Sequence, residues 1–167
     1  MDPVISELAS LEYVAEASIQ VMPESTWWGL KFIDSKYLGN WGFSPYLEVF
    51  RHSAQEYRVK ISGSHEIEPS LTVEQIECMV FLGWEQAESP NCDCLFSPFV
   101  GAREALSWFV SGLDVLQIVF GISSGCAIAG SNDFVNGKLR QLQGSKWSRK
   151  LGGFRLSGTL YNRIDLR

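Results

Sequence analysis

The chain contains 167 residues, of which 46% are apolar and 20% are charged. This is the size of a single domain, and the apolar content is too high for an intrinsically disordered chain. Its net charge of −5 and its lack of dense Lys/Arg runs argue against nucleic acid as a partner.

The first predicted element is a helix that begins after Asp2-Pro3, a pair typical of a helix N-terminus, and continues to about residue 20. The segment 22–25 ends it, and residues 27–33 are compatible with a short strand. The apolar residues that follow helical spacing are Val4, Ile5, Leu8, Leu11, Val14 and Ala15.

Two strands are predicted at Tyr46–Arg51 and Tyr57–Ser62, because both segments alternate strictly between two sets of side chains. Such alternation is typical of an antiparallel sheet with one face on a core. The five residues between them, 52–56, are the right length for the connecting turn.

The clearest local signal predicts a helix over residues 73–82. A threonine followed three residues later by glutamine forms a capping box, and the flanking apolar pair forms a hydrophobic staple. A glycine followed by tryptophan at the other end is typical of a Schellman motif. These residues are Leu71, Thr72, Gln75, Ile76, Gly83 and Trp84.

A second apolar periodicity predicts a helix from about residue 102 to residue 120, ended by Gly121. Residues 125–167 contain seven of the fifteen glycines and eight basic against two acidic residues, whereas residues 1–124 carry seventeen acidic and six basic residues. The favoured interpretation is that the basic segment neutralises its own chain or a second copy, and the alternative is contact with nucleic acid or an acidic partner. Residues 154–164 are compatible either with late strands or with a mobile segment.

These elements predict an α+β fold in one domain. Its parts are an N-terminal helix in residues 1–24, a core in residues 25–124 and a basic Gly-rich segment in residues 125–167. The most apolar run, 113–130, is interrupted by polar residues, and the acidic N-terminus does not resemble a signal peptide. We therefore expect a cytoplasmic protein.

The cysteines indicate neither a metal site nor a redox pair. Cys78 and Cys126 lie in apolar stretches and are predicted to be core residues. Cys92 and Cys94 are separated by one residue, whereas redox pairs usually have two and structural zinc sites need further ligands. We expect these two in a surface loop, and no metal or cofactor.

Catalytic patterns are not found in the sequence. No glycine-rich phosphate loop is present, and the only two histidines, His52 and His65, are expected to be exposed turn residues near strand ends. The carboxylates show no pairing that distinguishes an active site from a solvated surface.

Several short motifs together resemble the peptide-binding-chaperone-like domains of actinobacteria, in the superfamily of type III secretion chaperones and YbjN proteins. The resemblance implies a sandwich of an antiparallel sheet with helices on one face, often dimeric, that binds extended peptides without enzymatic activity. The motifs are Tyr46–Val49, Tyr57–Ser62, Leu71–Gln75, Leu82-Gly83-Trp84, Pro90-Asn91 and the Ala-rich helix that follows.

The resulting hypothesis is a non-catalytic polypeptide-binding module, chaperone- or adaptor-like, which accepts a peptide at a sheet edge. Candidate peptide-binding aromatics are Trp27, Trp28, Trp41 and Phe43, each of which is alternatively a core residue. A second hypothesis is a regulator or immunity-type protein that blocks one partner through the acidic part of the chain. A third is an enzyme of another type that uses His52, His65 or Cys94.

Overall fold

The computed structural model describes residues 10–34, 36–37, 44–63, 70–87, 94–122 and 126–143. Within these ranges it contains four helices and six strands, which confirms the predicted α+β class. The helices are α1 (Glu12–Val21), α2 (Val73–Phe81), α3 (Ala102–Ile118) and α4 (Asp133–Gln143). The strands are β1 (Thr26–Ile33), β2 (Tyr46–Arg51), β3 (Tyr57–Ile61), β4 (Glu85–Gln86), β5 (Leu95–Phe96) and β6 (Ala127–Gly130).

The six strands form one sheet in the order β4-β5-β3-β2-β1-β6. All of the strand pairings are antiparallel, including the predicted β2–β3 hairpin, in which Leu47 pairs with Ile61 and Arg51 with Tyr57. The short β4 and the short β6 are the two edges. Because β6 pairs only with Leu30–Ile33, the first half of the eight-residue β1 extends beyond it.

The core lies between one face of the sheet and the helices. The ring of Trp28 packs against Phe109 of α3, with centroids 5.3 Å apart, and Leu47 reaches the backbone of α3 at Gly112 so closely that a Cβ there would lie 2.5 Å from it. Helix α1 lies against α3 and α4. The helices therefore cover the sheet face that carries the alternating apolar side chains.

Helix α2 has the local structure that its sequence predicts. Thr72 and Gln75 form a reciprocal capping box, in which the Thr72 Oγ1 accepts from the Gln75 N–H and the Gln75 side chain accepts from the Thr72 N–H. At the other end, the N–H groups of Gly83 and Trp84 donate to the carbonyls of Val80 and Met79, the bonds of a Schellman motif. Gly83 has a φ of 102°.

One core prediction on α2 is wrong. Cys78 is exposed, and Met79 is the buried residue of this helix, because α2 packs on the core along a narrow stripe. The predicted core position of Cys126 is confirmed, since this residue is buried.

Helix α1 begins at Glu12, with Leu11 at the N-cap position and a turn at residues 10 and 11. The prediction of one helix that runs without a break from Pro3 to about residue 20 is therefore wrong, because the chain leaves the helical hydrogen-bond pattern at this turn. Residues 1–9 lie outside the described residues. The segment 125–167, whose order the sequence left open, contributes β6 and α4 to the fold in residues 126–143, and residues 144–167 lie outside the description. None of the four described helices has the length and apolar character required to cross a membrane.

Candidate functional site

A groove of about 480 Å³ lies beside the first half of β1. Three elements line it, and we call them its back wall (the C-terminal end of α1), its floor (the start of β1) and its front wall (the start of α4). The lining residues are Ser18, Val21, Met22, Pro23, Thr26, Trp27, Trp28, Asn132 and Phe134. None of these side chains carries a formal charge, so the groove is suited to apolar and neutral polar groups.

The groove lies beside the start of β1, because β6 ends before it reaches this part of the strand. The last paired residues are Leu30 and Gly130, after which the Ser131 N–H donates to the Gly29 carbonyl (3.0 Å) and the Gly29 N–H donates to the Ser131 Oγ (2.9 Å). Asn132 then caps α4, with its Oδ1 accepting from the Val135 N–H. The chain then continues into α4, whose Phe134 lines the groove together with Trp27.

The back wall is held in place by hydrogen bonds to the connection between α1 and β1. The Arg51 guanidinium donates to the Met22 carbonyl at 2.7 Å, and the Thr26 hydroxyl donates to the Pro23 carbonyl at 2.6 Å. Ser25 adopts a φ of 60°, and its N–H donates to the Arg51 carbonyl. These bonds fix the turn against β2 and so hold the back wall of the groove in place.

The structure brings together two of the predicted peptide-binding aromatics in this groove. Trp27 is 42% exposed, whereas Trp28 is 2% exposed and belongs to the core as well as to the groove floor. Trp41 and Phe43 lie outside the described residues. The groove also contains Phe134, which is 42% exposed.

Sequence reasoning did not identify Phe134, because residues 125–167 were considered only as a basic, glycine-rich segment. The signal was present in the sequence. Asn132 stands at a capping position, and the buried residues Val135 and Leu139 are four apart, which is typical of one helix face.

The sheet face opposite α3 carries a continuous row of aromatic rings and one guanidinium. The Trp27 ring stacks on Phe50 at 6.2 Å, and Phe50 stacks on His52 at 6.4 Å. The Arg58 guanidinium lies 4.2 Å and 4.6 Å from the ring centroids of Phe96 and Phe99. Trp27 therefore belongs both to the groove and to this row.

The pKa values of two buried titratable groups are raised. Burial, together with the nearby Asp34 carboxylate, raises the pKa of the Tyr37 phenol to about 12. The same causes raise the pKa of the Cys126 thiol to about 12. Both groups are therefore neutral at physiological pH, the opposite of what an activated nucleophile needs.

The structure describes two of the other residues considered for catalysis. His52 is exposed, and its ring packs edge-on against Phe99 at 5.0 Å. Cys94 is fully buried, so its predicted position in a surface loop is wrong, because it directly precedes β5 of the sheet. His65 and Cys92 lie outside the described residues. Among the residues that are described, no three His, Cys, Asp or Glu side chains are placed to hold a metal ion.

A second, more open depression of about 630 Å³ lies between the β2–β3 turn and the start of α3. It is lined mainly by small residues, among them Ala54, Gly101 and Ala102, and carries one carboxylate, Glu104. Since no large aromatic side chain lines it, it offers less apolar area to a ligand than the groove beside β1 does.

No protein-family model, no curated protein and no solved structure matches this chain. The groove and its residues are therefore the basis for the functional argument that follows.

Proposed function

We propose that this protein is a non-catalytic polypeptide-binding module, chaperone- or adaptor-like, and that an extended segment of its partner lies in the groove beside β1. The observation that carries the proposal is that two large exposed aromatics, Trp27 and Phe134, line one groove whose described lining side chains carry no formal charge. Exposed aromatics around a pre-formed apolar depression are the usual anchors of protein–protein recognition.

The location of the groove supports an extended ligand. It follows the part of β1 that lies beyond the β6 ladder, and short sheet edges are common sites for an added peptide strand. The resemblance to peptide-binding-chaperone-like domains, which rests on short sequence motifs, points to the same class of partner.

The proposal is tested with a random peptide library displayed on phage and selected on the purified protein. Enriched peptides are synthesised, and their Kd is measured by fluorescence anisotropy. We expect Trp27→Ser and Phe134→Ser each to weaken binding by roughly tenfold, the effect of losing one aromatic anchor.

Phe81→Ser is the matched control, because Phe81 is 88% exposed on α2 and does not line the groove. It should leave the Kd unchanged. The proposal is wrong if selection enriches no peptide. It is also wrong if the enriched peptides lose binding to Phe81→Ser and keep it to the two groove variants.

A second candidate function, a regulator that blocks one specific partner, is favoured by the surface charge. Ten carboxylate residues are exposed in the described ranges, against three exposed basic residues, Lys36, Arg103 and Arg140. This function predicts Lys- and Arg-rich peptides from the same selection and an association rate that falls steeply with salt. A rate that is insensitive to salt would argue against the regulator and favour the apolar groove.

A further inference from the structure

The basic, glycine-rich end of the sequence has no part in the function proposed above. Beyond Gln143, where α4 ends, residues 144–167 contain six basic residues and one acidic residue, a balance of +5. Eight of these twenty-four residues are large and apolar or aromatic, a composition that favours burial against another surface over full exposure to water. The eight are Trp147, Leu151, Phe154, Leu156, Leu160, Tyr161, Ile164 and Leu166.

This segment begins on the same pair of helices that forms the groove. The Tyr13 hydroxyl at the start of α1 donates to the Gln141 Oε1 near the end of α4, whereas the end of α1 and the start of α4 line the groove. The two helices are therefore antiparallel, and residue 143 lies about one helix length from the groove, roughly 15 Å for a helix of this size. The chain from 144 to 154 can span up to about 35 Å when extended, so residue 154 can return to the groove.

The surface along this return path is acidic. Glu12 and Glu16 are exposed on α1, a helix that contains no basic residue, and Glu24 is exposed on the turn that follows it. None of the three forms an ion pair with another described residue. The first three basic residues of the segment lie within residues 146–150, so opposite charges meet if the segment runs back along α1.

The sequence Phe154-Arg155-Leu156 has the side-chain pattern that the groove accepts. In an extended chain the first and third of these side chains point to one side and the second to the other. The groove is lined by Trp27 and Phe134, and its described lining side chains carry no formal charge. Two apolar side chains can therefore enter it while the guanidinium stays outside, where Glu24 and Asp133 are exposed beside the lining residues.

Resting on the proposed function of the groove, we infer that residues 144–167 return along α1 of the same chain and place Phe154 and Leu156 in the groove beside β1. The segment is then an intramolecular competitor of the partner polypeptide, and it weakens the partner's apparent affinity in proportion to the fraction of molecules whose groove is open. Because a tethered segment reaches an effective concentration in the millimolar range, even a weak intrinsic affinity fills the groove.

The direct test is photo-cross-linking in the full chain at low protein concentration. Phe134, which is 42% exposed, is replaced by p-benzoylphenylalanine, a photoreactive residue that keeps an aromatic ring in the groove. After irradiation and trypsin digestion, we expect cross-links to the tryptic peptides 151–155 and 156–163. The same replacement at Phe81, which is 88% exposed and does not line the groove, should give no such cross-link.

An equal mixture of ¹⁵N-labelled and unlabelled protein separates cross-links within one chain from cross-links between two chains. A cross-link within one chain joins two labelled or two unlabelled peptides. Mixed pairs would show that the segment of a second copy fills the groove, and they would overturn the intramolecular assignment. The absence of any cross-link from position 134 to residues 151–163 would also overturn it.

The competition is measured with peptides enriched by phage display, which is carried out on the unaltered protein and on a Phe154→Ser, Leu156→Ser variant. Because the segment no longer fills the groove of this variant, we expect its Kd for each peptide to be roughly tenfold lower. A Leu160→Ser, Leu166→Ser variant is the matched control, since it removes two apolar side chains of the same segment. It should leave the Kd unchanged, and an equal gain in affinity would contradict the assignment of Phe154 and Leu156.

A synthetic peptide of residues 150–160 is a probe that does not depend on phage display. It should bind to the Phe154→Ser, Leu156→Ser variant, and about tenfold more weakly to the unaltered protein, whose groove is filled. Adding Trp27→Ser to the variant should also weaken binding of this peptide about tenfold, since one aromatic side of the groove is lost. Equal binding to the variant with and without Trp27→Ser would show that the segment binds elsewhere.

The inference and the proposed function fail in different ways. Library peptides that bind the unaltered protein and the Phe154→Ser, Leu156→Ser variant with equal Kd, together with no cross-link, would overturn the inference and leave the proposed function standing. Cross-links within one chain, with no library peptide enriched on either protein, would support the inference and overturn the proposed function. The segment would in that case complete the fold and not compete with a partner.

Discussion

At the residue scale, two buried serines show how the same side chain can oppose or support the fold. The Ser97 hydroxyl donates to the Pro98 carbonyl and accepts from the Val59 N–H. It therefore gives a backbone N–H of β3 a hydrogen-bond partner just after β5. The Ser18 hydroxyl has no partner in the described structure. Burial of a hydroxyl without a hydrogen bond is unfavourable, whereas loss of a bonded one leaves a buried amide unpaired.

We therefore predict that Ser18→Ala raises the free energy of unfolding by about 1 kcal/mol and that Ser97→Ala lowers it by about 2 kcal/mol. Urea denaturation of both variants measures the two changes. A Ser18→Ala variant that is clearly less stable than the parent protein would show that the hydroxyl has a partner in solution.

At the element scale, the backbone N–H and carbonyl at the end of β6 form hydrogen bonds with a side chain and not with another strand. Asn136 of α4 is fully buried, and its Oδ1 accepts from the Gly130 N–H at 3.2 Å. Its Nδ2 donates to the carbonyls of Gly130 (3.0 Å) and Asn132 (2.7 Å). One carboxamide thus joins α4 to the sheet edge and fixes the front wall of the groove.

Asn136→Ala should lower the free energy of unfolding by about 3 kcal/mol, because it leaves the N–H and carbonyl of Gly130 buried without partners. Asn132→Ala is the comparison. Asn132 is exposed and its side chain supplies only a helix cap, so its loss should cost about 1 kcal/mol. Equal costs in urea denaturation would contradict the role assigned to Asn136.

At the scale of the whole molecule, the exposed charge of the described residues is strongly unbalanced. The ten exposed carboxylate residues are Glu12, Glu16, Glu24, Glu56, Glu74, Glu77, Glu85, Glu104, Asp114 and Asp133. Ion pairs within the described residues join Arg58 to Glu85 and Lys60 to Glu48, both at 3.7 Å. Repulsion among like charges therefore acts against the compact state at low ionic strength.

We predict that raising the salt concentration from low to physiological ionic strength increases the free energy of unfolding by roughly 1 kcal/mol or less, through screening of this repulsion. A Glu16→Gln, Asp114→Asn double variant should show a smaller increase, since two exposed carboxylates are neutralised. Thermal unfolding at several sodium chloride concentrations measures both. A decrease in stability with salt would show that attractive pairs dominate instead.

The elements that could be predicted are those whose signals lie within a few residues. The capping box and Schellman motif define α2 because their partners are three to five residues apart, and the alternation in β2 and β3 directly reflects which side chains face the core. Strands β4 and β5 have two residues each and show no periodicity that a sequence window can detect. Strand β6 and α4 were obscured by the glycines and basic residues around them.

The sequence by itself determined the α+β class, the hairpin of β2 and β3, the ends of α2 and the aromatic candidates Trp27 and Trp28. Only the tertiary structure decided that Trp27 is exposed, that Trp28 is buried, and that Phe134 lines the same groove as Trp27. The physical reason is separation along the chain. Trp27 and Phe134 are over one hundred residues apart, and their meeting depends on the point at which β6 turns away from β1.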